Sequence, residues 1–221
     1  MTHHTTSHIA DTFERLPIFP LYRVFLFPCA ILPLYIFEPR YRKMISDSLA
    51  RDRLLAIAQL RPGFETDYEG RPAIRGIAGL GHIVAHKHNP DGTYNVLIEG
   101  LGRIQIENEL QPAHLYREVK ACLIQEKSAE TLSFEQNRLI ILPLVDKLAE
   151  HLGEVGPALR RLCDEIDSLP VLVDVLASAL VHTPGLRRRL FECANLEKRT
   201  DLLIWSLAKI SSDLQNTSLQ N

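Results

Sequence analysis

The chain has 221 residues, 46% of them hydrophobic, and its 25 basic and 27 acidic side chains leave a formal net charge of −2. A chain of this length buries roughly 70% of its surface, as one large domain or two small ones. The balanced charge provides no overall field that would attract nucleic acid or an anionic membrane.

Residues 1–12 are polar and contain three histidines, but nothing fixes the geometry of these side chains. We therefore expect a disordered N-terminus without a metal site. No basic segment followed by an apolar run and a cleavage site stands near the N-terminus, so a signal peptide is not expected. No apolar run reaches the roughly 20 residues that a bilayer-spanning helix requires. Its four cysteines are scattered without a CxxC pair, which argues against a zinc ribbon or a disulfide framework. These features predict a cytoplasmic protein that does not bind membranes.

The segment from Leu16 to Arg42 carries most of the specific information. Four prolines interrupt its apolar residues, which predicts a strand, a crossover loop and a second strand rather than a helix. Glu38 and Pro39 end the second strand. From Arg40 to Leu49 the apolar residues recur at intervals of three and four, which predicts a helix.

Further strands are predicted after this helix. The nearly continuous apolar run Arg53–Leu60 is typical of a strand buried on both faces, and Arg61–Pro72 is a loop that could form the rim of a binding site. Ala73–His88 contains three glycines in the order GxxGxG. A phosphate-binding loop is one interpretation, but strand-like flanks and the absence of a following helix favour a bent strand.

A turn at residues 89–92 pairs the bent strand with Tyr94–Glu99, and two more strands are predicted at Arg103–Leu110 and Tyr116–Gln125. Six or seven strands with one embedded helix suffice for a closed or nearly closed barrel over residues 13–126. Beyond residue 127 the apolar spacing changes to that of helices, with Ser168, Thr183 and Asn195 as expected caps. The expected fold is therefore α+β, with a helical bundle over residues 127–215 and a frayed tail at 216–221.

Three phrases carry a resemblance to a known family: LPIFPLYRVFLFP (residues 16–28), LPLYIFEPRYRKMI (residues 32–45) and YNVLIEGLGRIQIENEL (residues 94–110). They resemble the N-terminal, substrate-binding (LON) domain of Lon proteases, especially its short stand-alone bacterial form, and the related domain of cereblon. The resemblance implies a PUA-like pseudobarrel at the N-terminus. Cys29 departs from the pattern, because such sequences usually carry glycine there.

We found no catalytic constellation in the sequence. It contains no GxxxxGK[ST] loop and nothing like a serine–lysine protease domain, so neither a motor nor a protease is expected. Cys29 lies in the most apolar part of the chain, which favours a packed residue over a nucleophile. His82, His86 and His88 alternate along one strand, but a solvated strand face is favoured over a metal site. We therefore expect no enzyme, metal or cofactor.

The leading hypothesis is a non-catalytic module that binds unfolded or partly folded protein segments, working with a protease or chaperone system. Exposed apolar and aromatic side chains would provide its binding surface. The alternative is an RNA-binding PUA-like protein, which the near-neutral charge disfavours. Glu38 is expected to hold the turn into the helix, through an ion pair with Arg40 or Arg42 or as a carboxylate that accepts hydrogen bonds from backbone amides. The candidate binding residues are Phe19, Tyr22, Phe25, Phe27, Tyr35, Glu38, Arg40 and Tyr41.

Overall fold

The structure is a computed structural model that describes residues 10–67, 70–127 and 133–218. It consists of two compact units that divide between Ile124 and Gln125, two residues before the expected boundary. Residues 1–9 of the expected disordered N-terminus lie outside the described part. The first strand already begins at Thr12.

The N-terminal unit is a six-stranded sheet with one helix. Its elements in chain order are β1 (Thr12–Leu21), β2 (Ile31–Ile36), α1 (Pro39–Leu49), β3 (Leu54–Leu60), a 3₁₀ turn (Phe64–Asp67), β4 (Ile74–His88), β5 (Tyr94–Glu109) and β6 (Arg117–Leu123). The strand order is β2-β5-β4-β3-β1-β6, and β6 also pairs with β5. That second pairing closes five strands into a barrel and leaves β2 at an edge.

The strand β5 differs from the sequence-based prediction of two separate strands. It runs without interruption through Gly100 and Gly102 because one edge pairs with β4 along most of its length. Its other edge changes partner, from β2 at residues 94–99 to β6 at residues 104–109. A single 16-residue strand thus connects the barrel to the edge strand.

Glycines on β4 and β5 make room for the segment between β1 and β2, which crosses the sheet, and not for a phosphate. The residues between β1 and β2 pass so close to the sheet that a Cβ at Gly79 would overlap the Leu26 carbonyl oxygen, and one at Gly100 would overlap that of Phe27. The Cys29 amide donates to the Gly100 carbonyl at 2.8 Å, and the Gly100 amide donates to the Ala30 carbonyl at 2.9 Å. Close backbone approach, which only glycine permits, explains these positions.

Both faces of β3 are buried, as predicted for the middle of the sheet. Leu55 and Ile57 join a core cluster that includes Tyr41, Met44 and Ile45 of the N-terminal helix. The alternate side chains of β3 join a second cluster with residues of β1, β4, β5 and β6. One core therefore lies between helix and sheet and the other fills the barrel.

The C-terminal unit consists of helices α2 (Phe134–Ala149), α3 (Val155–Glu165), α4 (Leu169–Leu180), α5 (Pro184–Glu192) and α6 (Leu196–Ser218). The Asn195 side chain caps α6 by accepting from the Lys198 amide at 2.8 Å. Ser168 and Thr183 occupy the expected N-cap positions without side-chain cap hydrogen bonds. Because α6 continues to Ser218, the helix extends into the expected frayed tail, and residues 219–221 lie outside the described part.

Within residues 10–67, 70–127 and 133–218, none of the helices combines the length and the hydrophobicity that crossing a bilayer requires.

Candidate functional site

The aromatic residues proposed from the sequence separate into buried and exposed groups. Four of them are buried in the core, so the expectation that they serve a binding surface is corrected. These four are Phe19, Phe25, Phe27 and Tyr41. Phe19 and Tyr41, for example, pack against each other with ring centroids 4.1 Å apart. Two remain accessible, Tyr22 at 39% and Tyr35 at 54% exposure. Of these, Tyr22 packs against Phe64 of the loop between β3 and β4.

Tyr35 belongs to an apolar cluster on the outer side of β2 that we call the β2 face. The side chains of Ile31, Tyr35 and Phe37 are 53%, 54% and 61% exposed, and that of Leu97 on β5 is 41% exposed. Pro33, which lies opposite Leu97 in the register, completes the cluster. The Tyr35 and Phe37 rings stack with centroids 6.1 Å apart. Adjacent exposed apolar side chains of this kind mark interaction sites.

The period of a strand explains why these side chains point outward. Residues 31, 33, 35 and 37 share one side, and Leu32, Leu34 and Ile36 share the other. The inward residues pack against the cluster that contains Met44 and Ile45 of α1. Both sides of β2 are apolar, yet the helix covers one of them only.

A depression of about 470 Å³ lies on the outer side of β2, β5 and β4. Pro33, Tyr35 and Leu97 contribute apolar walls, and His86 and Lys87 of β4 contribute polar ones. An apolar depression with a few polar groups is the usual form of a binding site for part of a ligand.

A second depression, of about 490 Å³, contains the remaining sequence-proposed residues, and we call it the Arg40 groove. Arg40 Nε donates to Glu38 Oε2 at 3.0 Å, which is one of the arrangements expected at the turn into α1. The Arg40 guanidinium also lies 4.8 Å above the Tyr41 ring. Arg71, from the loop expected to form a rim, lines the groove too, whereas residues 68–69 of that loop lie outside the described part.

The far wall of the Arg40 groove is held by internal hydrogen bonds. Arg117 is buried, forms a bidentate pair with Glu109 and donates to the Pro72 carbonyl at 2.9 Å. Tyr116 donates its hydroxyl proton to Asp47 at 3.0 Å. Burial, followed by this hydrogen bond, raises the pKa of Tyr116 to about 12. Partial burial would raise the pKa of Asp47, but hydrogen bonds from Lys43 and Tyr116 lower it overall. The groove is thus a polar surface whose charges are largely paired.

Comparison with known families identifies the chain. The family model of the ATP-dependent protease La (LON) substrate-binding domain matches residues 15–209. The chain belongs to this family. Lon protease 1 of Syntrophobacter fumaroxidans is 23% identical over 189 residues, which cover 85% of the chain. Lon protease 2 of Herpetosiphon aurantiacus is 25% identical over 191 residues, or 86% of the chain. In each case the match covers 23% of the relative, so the chain spans about a quarter of its length.

Solved structures show the same fold. The N-terminal domain of Mycobacterium avium complex Lon protease superposes with a TM-score of 0.66 at 15% identity, covering 88% of this chain and 98% of that one. A Lon N-terminal domain protein from Xanthomonas campestris gives 0.62 at 19% identity, covering 87% and 98%. The α+β fold predicted for this LON-family chain is confirmed.

Cysteine and histidine side chains bear on whether this LON-family chain could hold a metal ion or react as a thiol nucleophile. Residues 10–67, 70–127 and 133–218 contain no group of three or more His, Cys, Asp or Glu side chains that could hold a metal ion. Burial raises the pKa of the Cys163 thiol to about 11, which keeps it protonated at neutral pH. Cys29 is exposed and has a φ of 61°, so the expectation of a packed core residue was wrong. A left-handed backbone favours glycine, which is the residue expected there from the family resemblance.

Sequence reasoning missed the buried charge of the helical unit. The side chain of Arg199 is fully buried, donates to the Cys193 carbonyl at 2.8 Å and pairs with Glu126. Its Nε lies 3.3 Å from Asp174, another buried side chain. The apolar neighbours at helical spacing, Leu196, Leu203 and Leu207, were the available signal, since position 199 lies on their side of α6.

Proposed function

We propose that this chain is a non-catalytic recognition module that binds unfolded or partly folded protein segments through the β2 face. The observation that carries the proposal is the exposure of Ile31, Tyr35, Phe37 and Leu97 beside an apolar depression. Membership of a substrate-binding family supports the same class of ligand. Unfolded segments expose apolar side chains that folded proteins bury, and an apolar face discriminates on that basis.

The proposed setting is a cytoplasmic one, in which the module acts beside a protease or chaperone system. No step of this function requires a metal or a cofactor, because recognition by apolar contact involves no bond making. The Arg40 groove is a less suitable site for such segments, since Arg40 and Arg117 are already paired with Glu38 and Glu109.

RNA binding has less support than protein binding. Arg160 pairs with Asp146 and Asp164, and Arg199 is buried, so neither guanidinium is available to contact phosphates. Binding to RNA would weaken steeply with salt, whereas binding to an apolar face would not.

The test is a titration of a fluorescently labelled, reduced and carboxymethylated model protein with the wild-type chain. The variant Tyr35→Ser/Phe37→Ser should weaken binding at least tenfold, since two aromatic contacts of about 1 kcal/mol each are removed. Leu115→Ser is the matched control, because Leu115 is 73% exposed but lines the Arg40 groove. It should bind like wild type. No saturable binding below roughly 100 μM, or equal binding by all three proteins, would overturn the proposal.

A further inference from the structure

We infer that the open edge of β2 accepts an extended peptide segment as an additional strand of the sheet. This inference rests on the proposed function and specifies how the segment is held. Main-chain hydrogen bonds to β2 would fix the segment, and the β2 face would contact its alternate side chains.

The hydrogen-bond pattern of β2 shows which main-chain groups are directed away from β5. The Gly100 amide donates to the Ala30 carbonyl at 2.9 Å, and Ile31 lies opposite Glu99 in the antiparallel register. In such a ladder the bonded pairs alternate. Leu32, Leu34 and Ile36 therefore bond to β5, while the amide and carbonyl groups of Ile31, Pro33 and Tyr35 face the opposite edge.

Proline chemistry supports the same assignment independently. Pro33 has no N–H, so it can occupy a strand only where a ladder bond from its nitrogen is not required. Its position in the outward set agrees with the register. The outer edge therefore presents two donors, at Ile31 and Tyr35, and three carbonyl acceptors.

The outer edge is open in the described part of the chain. Among residues 10–67, 70–127 and 133–218, the strand β2 pairs with β5 alone. In the same ranges, neither turn nor loop backbone bonds to the outward groups of Ile31, Pro33 or Tyr35. An edge that combines unpaired main-chain groups with apolar side chains is a template for another strand.

The size of the edge favours a peptide segment over a second copy of this chain. A six-residue strand is about 20 Å long. Edge-to-edge pairing of two copies would bury far less than the roughly 1,200 Å² of a stable interface. Pro33 also removes the central donor, which weakens pairing of β2 with its own copy. A transiently bound segment of a protein substrate requires no such area.

The test uses a labelled seven-residue peptide that alternates valine and threonine, measured by fluorescence anisotropy. Two further peptides carry N-methyl groups at the even or at the odd positions, which removes donors directed to one edge only. One methylated series should bind about tenfold or more weakly and the other like the parent, since each lost hydrogen bond contributes about 1 kcal/mol. Equal effects of both series would overturn the added-strand inference while leaving the proposed function standing.

A protein variant tests the same geometry from the other side. Pro33→Ala adds an outward N–H and removes apolar surface, so tighter peptide binding, by about threefold or more, can only come from the new donor. Weaker binding by this variant would count against the inference. If the parent peptide does not bind wild type although the carboxymethylated protein does, the edge is not the site. If neither ligand binds, the proposed function fails as well.

Discussion

Removal of the Arg199 guanidinium should severely destabilise the helical unit. In the variant Arg199→Met, the carboxylate of Asp174, which is 2% exposed, would remain buried without the cation that lies 3.3 Å from it. Removing one partner of a buried ion pair costs about 3–5 kcal/mol. That is a large part of the roughly 5–15 kcal/mol by which a domain is stable.

The matched control is Arg160→Met in the same unit. Arg160 pairs with Asp146 and Asp164, but both carboxylates are more than half exposed, so its loss should cost about 1 kcal/mol or less. The double variant Arg199→Met/Asp174→Leu should recover most of the stability, because apolar residues replace both buried charges.

Urea unfolding followed by tryptophan fluorescence provides the measurement. Trp205 is the single tryptophan of the chain and lies on α6, as does Arg199, so its signal reports the helical unit directly. Equal losses in Arg199→Met and Arg160→Met would refute the reasoning, as would a double variant no more stable than Arg199→Met. If the slope of the unfolding free energy against urea concentration is the same in all variants, a shift of the unfolding midpoint reports a change in stability and not a change in the compactness of either state.

Three further predictions concern the barrel. Gly100→Ala should lower the free energy of unfolding by about 1–3 kcal/mol, because the added Cβ overlaps the Phe27 carbonyl. In the same thermal melt, Gly76→Ala should lower it clearly less, because the added Cβ meets only the flexible end of a glutamine side chain. Cys29→Gly should stabilise the fold by about 1 kcal/mol, because glycine does not incur the cost of a Cβ at a φ of 61°. Cys29→Val should destabilise it, because a β-branched residue fits that backbone less well than cysteine does, and equal melting temperatures would contradict this. The pKa of Tyr116 is raised to about 12 from an ordinary 10.0, so the stability that this residue contributes at neutral pH should be lost as pH rises from 10 to 12. Tyr116→Phe should flatten that part of the pH profile.

The elements of the chain were largely predictable because their signals are local. Proline interruptions, the turn at residues 89–92 and the three-and-four spacing of α1 each act within a few residues. The continuity of β5 was not predictable. Gly100 lies between the two strands predicted from the sequence, but its role is to let the Phe27 backbone cross the strand, and Phe27 is more than 70 positions away in sequence.

The surface proposed for binding was indicated by the sequence as a pool of aromatic residues but not as one face of a strand. Phe27 and Tyr35 look alike in sequence, since both lie in an uncharged apolar run, yet one is fully buried and the other is half exposed. What separates them is tertiary structure. The segment between β1 and β2 brings Phe27 against β5, where it is buried. In contrast, α1 covers one side of β2 and leaves Tyr35 exposed on the other side.

The energetics of the β2 face distinguish it from the core. Ile31, Tyr35 and Phe37 are more than half exposed, so polar residues in their place would change the free energy of unfolding by only about 0.5 kcal/mol. The fold therefore does not require an apolar outer side on β2. Exposed apolar groups on an edge strand carry a risk of aggregation, which Pro33 reduces by removing a main-chain donor. An apolar face that stability does not need, beside an edge that is only partly blocked, supports the proposal of a ligand that uses both.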